Sequence, residues 1–348
     1  MQVSDFDFEL PFGLIAQAPP AERGGSRLVV LDRAGGPLAH AAVLDLPRFL
    51  RAGDLLVVND TRVFPARLLG HRVPSSGAVE CLLLGRLDAG RWDALMHPGQ
   101  KLRVGERVVF DGPGARLFAE VLERKFYGRR VIRLWAADDG DVDRAIDALG
   151  HVPLPPYIKR SDRAEDRDRY QTVFARVRGS VAAPTAGLHF TRDLLAALDA
   201  AGVERTAITL HVGYGTFKPV RAEVVEEHGV DEERYEIGQA AAAAINRARA
   251  EGRRVVTVGT TTTRALETAV RRGGGEVRPG AEATDLFIYP GFDFQAVDVL
   301  VTNFHLPRSS LLMLVAAFAG RERVLAAYAE AIAREYRFYS YGDAMLIL

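Results

Sequence analysis

Between Phe64 and about Gly150 the chain breaks into short β-rich pieces: Val79 to Leu84, Arg91 to Met96, Arg107 to Phe110, Leu117 to Leu122 and Arg130 to Trp135. Gly, Pro and Asp separate them, and helical periodicity is nearly absent until Val142 to Leu149. Short strands at such spacing close into a small antiparallel barrel. Because α/β texture stands on both sides, the block predicts an insertion. Residues 64–150 are expected to form a small inserted antiparallel β-barrel domain, and residues 1–63 and 151–348 a discontinuous α/β main domain with a mixed sheet. At roughly 150 residues per domain, a chain of 348 fits two such units.

In the main domain, Arg27 to Asp32 and Asp54 to Asp60 read as strands. The run Leu55 to Val58 is apolar without alternation, as in a strand covered on both faces. It ends in Asn59-Asp60-Thr61-Arg62, four polar residues at the carboxyl end of a buried strand, where open α/β sheets place ligands. A plain turn accounts for Asn-Asp equally well. Further strands are expected over Ala207 to Val212, Arg254 to Val258, Asp285 to Tyr289 and Val297 to Thr302. Helices are expected over Thr191 to Ala201, Gln239 to Glu251, from Ala265, and over Glu322 to Glu335.

The stretch Gly179 to Phe190 is too polar for a core helix and too tightly built for a linker. Gly179 and Gly187 permit unusual backbone angles, Pro184 fixes one angle and removes a donor, and the small residues between them, Thr185 included, admit close approach of a ligand. Thr191 is the expected N-cap of the next helix, which sets His189 just before a helix N-terminus, where unpaired N–H groups favour electron-rich ligand atoms. Gly259-Thr260-Thr261-Thr262-Thr263-Arg264 joins a strand to a helix and makes a hydroxyl-rich cradle for an anion or ribose. No lysine stands in the P-loop position there, which argues against nucleoside triphosphates. Gly213-Tyr214-Gly215 also follows a strand, but Phe217-Lys218-Pro219 cannot open the helix that a methyltransferase motif requires. Histidines 189, 211 and 305 all stand at element ends beside Gly, Thr, Asn or Pro, a pattern that allows convergence on one pocket.

Lys plus Arg and Asp plus Glu both total 45, so no global field draws the chain to nucleic acid or membrane, and any basic surface is local. Cys81 is the only cysteine, which excludes an intrachain disulfide and a cysteine zinc site and fits a reducing compartment. None of the eight histidines falls at metal-ligand spacing, so no metal is expected. No export signal is visible, and the most apolar run, Leu311 to Ala319, is about half the ~20 residues of a membrane span. A cytoplasmic monomer without membrane contact is expected.

The proline-rich connection Gly150 to Arg160 is stiff and extended, and Ser161 to Tyr170 is dense in Asp and Arg. Tyr157, Lys159, Arg160, Arg163 and Arg167 supply the cations and aromatic surface that RNA recognition uses; a solvated face of alternating charge has the same composition. The basic group Arg124, Lys125, Arg129, Arg130 and Arg133 has two readings, a surface that meets phosphates and a solvated hairpin face, of which the second comes first.

A set of long, ordered motifs runs nearly end to end: Asn59-Asp-Thr-Arg62, His151-Val-Pro-Leu-Pro-Pro-Tyr-Ile-Lys159, Tyr170-Gln-Thr-Val-Phe174, Ala183-Pro-Thr-Ala-Gly-Leu-His-Phe190, Thr209-Leu-His-Val-Gly213, Gly215-Thr-Phe217, Gly259-Thr-Thr-Thr-Thr-Arg264, Thr284-Asp-Leu-Phe-Ile-Tyr289, Asn303-Phe-His-Leu-Pro307 and Tyr339-Ser-Tyr-Gly-Asp343. In these the chain resembles the S-adenosylmethionine:tRNA ribosyltransferase-isomerase family of queuosine biosynthesis. The resemblance implies that S-adenosylmethionine is consumed as a substrate, with no cofactor. Its ribosyl group passes to a 7-aminomethyl-7-deazaguanine at the tRNA wobble position, giving epoxyqueuosine with loss of adenine and methionine. It further implies His189 or His211 as base, and Asp60 as a third catalytic residue. Asp60, Asp285 and the Thr260 to Thr263 turn are expected to hold the ribose and amino-acid parts. Asn59, Thr61, Arg62, Tyr170, Gln171, Pro184, Thr185, Gly187, Gly213, Gly215, Thr216, Tyr289, Asn303 and His305 complete the expected binding set. One departure stands out: Glu227-His228-Gly229-Val230-Asp231 has Asp231 where the family pattern carries a second histidine. An ordinary methyltransferase would leave S-adenosylhomocysteine, and a noncatalytic RNA-binding module would not consume the donor; neither explains a match of this length.

Overall fold

The computed structural model describes residues 1–217 and 220–348. Its larger layer is a nine-stranded mixed sheet in the order Gly280–Thr284, Glu233–Ile237, Glu204–Leu210, Leu55–Asn59, Val255–Val258, Val299–Asn303, Ala344–Ile347, Arg27–Leu31, Ala39–Ala42. The four strands from Glu204–Leu210 to Val299–Asn303 pair in parallel. Antiparallel strands extend the sheet at both edges.

Every residue of Leu55–Asn59 is buried. Leu55 and Val57 join one core, with Leu210, Ile245 and Leu266, whereas Leu56 and Val58 join a second, with Phe190, Leu194 and Val301. A strand that feeds two cores has no solvent face, and this is why its sequence does not alternate. Parallel pairing brings the carboxyl ends of the central strands, Asn59, Leu210, Val258 and Asn303, to one edge of the sheet. Neighbouring strands lie ~4.8 Å apart, so these four ends span a molecule-sized row.

Two expected elements are placed differently. The chain is not a strand over Asp285 to Tyr289; the edge strand is Gly280–Thr284, paired with Glu233–Ile237. Directly after it, the Thr284 hydroxyl accepts the N–H of Leu286 (3.2 Å), a local turn that lifts the chain off the sheet. The helix expected from Ala265 begins at Thr260. Gly259, at φ 93°, makes the turn, and the hydroxyls of Thr262 and Thr263 bond back to the carbonyls of Val258 and Gly259, so the threonine run is helical. Thr191 caps Arg192–Ala200 through the N–H of Leu194, as expected.

The second layer is a closed antiparallel barrel in the order Arg129–Ala136, Arg91–His97, Ala78–Arg86, Arg67–Val73, Arg107–Gly112, Ala115–Arg124. Arg67–Val73 is the strand not read from sequence. Helix Val142–Leu149, capped by the Asp141 carboxylate on the N–H groups of Asp143 and Arg144, adds Ala145 and Ile146 to the barrel core. Arg67 and His151 pair in a single β-bridge, so the chain enters and leaves the barrel side by side. Among the described residues no helix is long and apolar enough to cross a membrane.

Candidate active site

Two polar groups stand at the carboxyl edge of the sheet. The first is built on Asn59, whose Oδ1 accepts the N–H groups of Thr61 and Leu210 while Nδ2 donates to the Leu210 carbonyl. Two strand ends are thus fastened by one side chain. Asp60 accepts from the Thr209 hydroxyl (2.6 Å) and from Arg176 (2.7 Å). Thr61 holds Nδ1 of His211 at 2.8 Å. The His211 ring lies against Gly179 and is half-buried; Nε2 has no hydrogen bond among the described residues. Desolvation lowers its pKa, with Asp60 opposing, so the imidazole is neutral at pH 7 and can accept a proton.

The second group is built on Asn303. Its Nδ2 donates to the Tyr339 carbonyl and lies 3.0 Å from Nε2 of His189, while Oδ1 accepts from the Thr185 hydroxyl. An amide donor on Nε2 leaves the His189 proton on Nδ1, 2.9 Å from the Ser26 hydroxyl. Both ring nitrogens are therefore occupied. His189 is buried, and desolvation takes its pKa down to about 4, which keeps it neutral.

Between the groups lies a cavity of about 40 Å³ bounded by Pro184, Thr185, Val212, Thr216, Thr260, Thr261, Asn303, His305 and Tyr339. Its innermost part has room for a few waters. One wall is the N-terminus of helix Thr260–Arg272, whose first N–H groups have no partner within the helix and suit a carboxylate. His305 bonds Thr302 through Nε2 (2.9 Å), and burial lowers its pKa to about 3. The loop carrying Thr216 is tied down from behind. Glu233 accepts from the Gly213 N–H (2.9 Å) and the Thr216 hydroxyl (3.1 Å) and pairs with Arg264 at 2.5 Å in a nearly dry setting.

A model of the queuosine biosynthesis protein family matches residues 3–347. This chain belongs to that family. Curated relatives called S-adenosylmethionine:tRNA ribosyltransferase-isomerase include one from Anaeromyxobacter dehalogenans, 55% identical over 100% of this chain and 99% of the relative. Another, from Symbiobacterium thermophilum, is 54% identical over the full length of both. A crystal structure of the S-adenosylmethionine tRNA ribosyltransferase of Thermotoga maritima is 39% identical, covers 99% of this chain and 100% of the other, and superposes with a TM-score of 0.56.

Within this member of the queuosine biosynthesis family, the expected site residues divide by location. Pro184, Thr185, Thr216, Thr260, Thr261, Asn303 and His305 line the cavity. Asn59, Asp60, Thr61 and His211 gather at the neighbouring strand ends, and Gly213 and Thr262 are held through main-chain bonds or a back-bonded hydroxyl. His189 borders a different, smaller cavity with Arg23, Ser26 and Arg169. Gln171 pairs with the Val63 backbone, Tyr170 packs edge-on to Tyr341, Gly187 lies against Thr172, and Gly215 against Asp231. Arg62 and Asp285 are exposed, and Tyr289 packs on Phe287; none of the three lines the cavity.

The stretch Tyr157 to Arg167 is used largely from within. Tyr157 is buried with its hydroxyl on Ser340, Arg160 pairs with the buried Asp166, and Arg167 bonds the carbonyls of Asp147 and Gly150. Lys159, Arg163 and Arg167 are exposed. Glu233 and Ser26 shape the site without a local sequence signal, since each acts on a partner remote in the chain, and Tyr339, the first residue of a motif, does so through its carbonyl.

Proposed function

We propose that this chain transfers and isomerises the ribosyl group of S-adenosylmethionine onto the 7-aminomethyl-7-deazaguanine at a tRNA wobble position, as a cytoplasmic monomer, with His211 as the base. The full-length relatives are named S-adenosylmethionine:tRNA ribosyltransferase-isomerases, which supports the donor, the tRNA acceptor and the reaction class. The observation behind the base assignment is the anchoring of His211: Thr61 takes one nitrogen, Asp60 stands beside it, and its neighbour Val212 lines the cavity. A sulfonium acidifies the adjacent ribose C5′ protons. Neutral imidazole removes one, and the electron pair released opens the ribose and expels adenine. The free amine adds to C4′ of the vinyl sulfonium so formed, C5′ closes on the C1′ aldehyde, and the resulting alkoxide displaces methionine from C5′ to form the epoxide. His189, with both nitrogens occupied, positions Asn303 and thereby the Thr185 wall. The helix beginning at Thr260 receives the methionine carboxylate.

The test is product analysis after incubating the protein with S-adenosylmethionine and tRNA carrying the aminomethyl base. Adenine, methionine and epoxyqueuosine in equal amounts support the assignment. S-adenosylhomocysteine with methylated tRNA would contradict it.

A further inference from the structure

The barrel carries a surface that its own packing does not explain. At the turn between strands Ala115–Arg124 and Arg129–Ala136, Phe126 and Tyr127 are each 88% exposed, among the most exposed large apolar side chains in the described structure. Phe126 touches no other ring among the described residues, and Tyr127 meets only the Arg221 guanidinium, 5.4 Å from its ring centre. The turn is built, not loose. Tyr127 is held at φ 53° and Gly128 at φ 83°, and Arg130, 1% exposed, donates to the carbonyls of Leu102, Lys125, Arg129 and Gly99.

Among the described residues that buried guanidinium bonds four carbonyls and no carboxylate, so a cation stands beneath the turn. Arg124 and Lys125 beside it form no ion pair among the described residues. All of them line a cleft of about 840 Å³ whose far wall is Tyr214, next in sequence to Gly213 and two residues from Thr216 of the active-site cavity. The one carboxylate on its lining, Glu80, is already paired with Arg67. Two exposed rings on a turn fastened from below by Arg130, above a cationic cleft that reaches the active-site loop, match unpaired bases on a phosphate backbone.

We propose that Phe126 and Tyr127 form a stacking platform for unpaired nucleotides flanking the modified base of the RNA substrate, with Arg124 and Lys125 contacting its phosphates. The platform rests on the tRNA-modifying activity proposed above only for the identity of the RNA, because binding is measured without turnover. Direct titration of tRNA carrying the aminomethyl base compares the wild type with Phe126→Ala, Tyr127→Ala, the double variant and Phe126→Trp. Side chains this exposed leave the melting temperature unchanged. Each alanine is expected to weaken tRNA binding roughly tenfold, tryptophan to restore it, and the KM for S-adenosylmethionine to stay put. Lys125→Ala should lower the salt slope of log Kd by about one. A double variant that binds tRNA like the wild type would overturn the platform. A wild type that binds tRNA through these rings yet consumes no S-adenosylmethionine would uphold the platform and defeat the activity.

Discussion

The ring of His211 rests on the bare α-carbon of Gly179: a methyl group built there would stand 2.6 Å from Cε1 and 2.8 Å from Nδ1 of the imidazole. Gly179→Ala must therefore shift the ring from its Thr61 anchor or move the backbone of Gly179, which at φ 155° is already strained for any side chain. A displacement of about 1 Å in a catalytic group costs on the order of 100-fold in rate. Turnover should fall by about that factor while the KM for S-adenosylmethionine changes little, as steady-state kinetics on the folded variant would show.

The buried Arg264–Glu233 pair holds the Gly213 to Thr216 loop from behind. Removing one partner leaves an uncompensated charge, so Glu233→Ala should cost about 3–5 kcal/mol of stability by urea denaturation. Glu233→Gln keeps the acceptor toward Gly213 and Thr216, and should recover donor affinity better than it recovers stability. Equal losses in both variants would assign the residue to stability alone.

Two buried histidines contribute to the acid limb of the stability curve, beside the depressed carboxylates of Glu80 and Asp166. His189 and His305 have folded pKa values of about 4 and about 3, both below the value near 6.5 of an unfolded chain. Between those limits the unfolded state binds more protons than the folded one, so stability falls as pH falls. The contribution is fully present above pH 6.5 and drains away below it, by about 1.4 kcal/mol per pH unit for each histidine. Denaturation midpoints measured from pH 7.5 to 4.5 should show this slope, and His305→Gln should flatten it.

Legibility in the sequence followed the range of the forces involved. The barrel announced itself because short strands carry their turns with them, and Thr191 because a cap bonds three residues away. Asn59 to Thr61 was readable as a polar tip on a buried strand, and its role in fastening Leu210 follows from parallel pairing. The edge strand was misplaced because Asp285 to Tyr289 is the more apolar segment, whereas the pairing of Gly280–Thr284 depends on Glu233–Ile237, about 45 residues earlier. The resemblance and an imidazole's titration near neutrality leave His189 and His211 equal as candidate bases. Ser26 and Asn303, both more than 100 residues away in the chain, occupy both nitrogens of His189, a contact no local pattern carries.

The base assignment is tested most directly by giving His211→Gln and wild-type protein S-adenosylmethionine deuterated at C5′, with tRNA carrying the aminomethyl base, and weighing the products. Wild type should yield epoxyqueuosine with one deuterium lost, while His211→Gln binds both substrates and forms product at least ~100-fold more slowly. Product at the wild-type rate from His211→Gln would contradict the role given to this histidine.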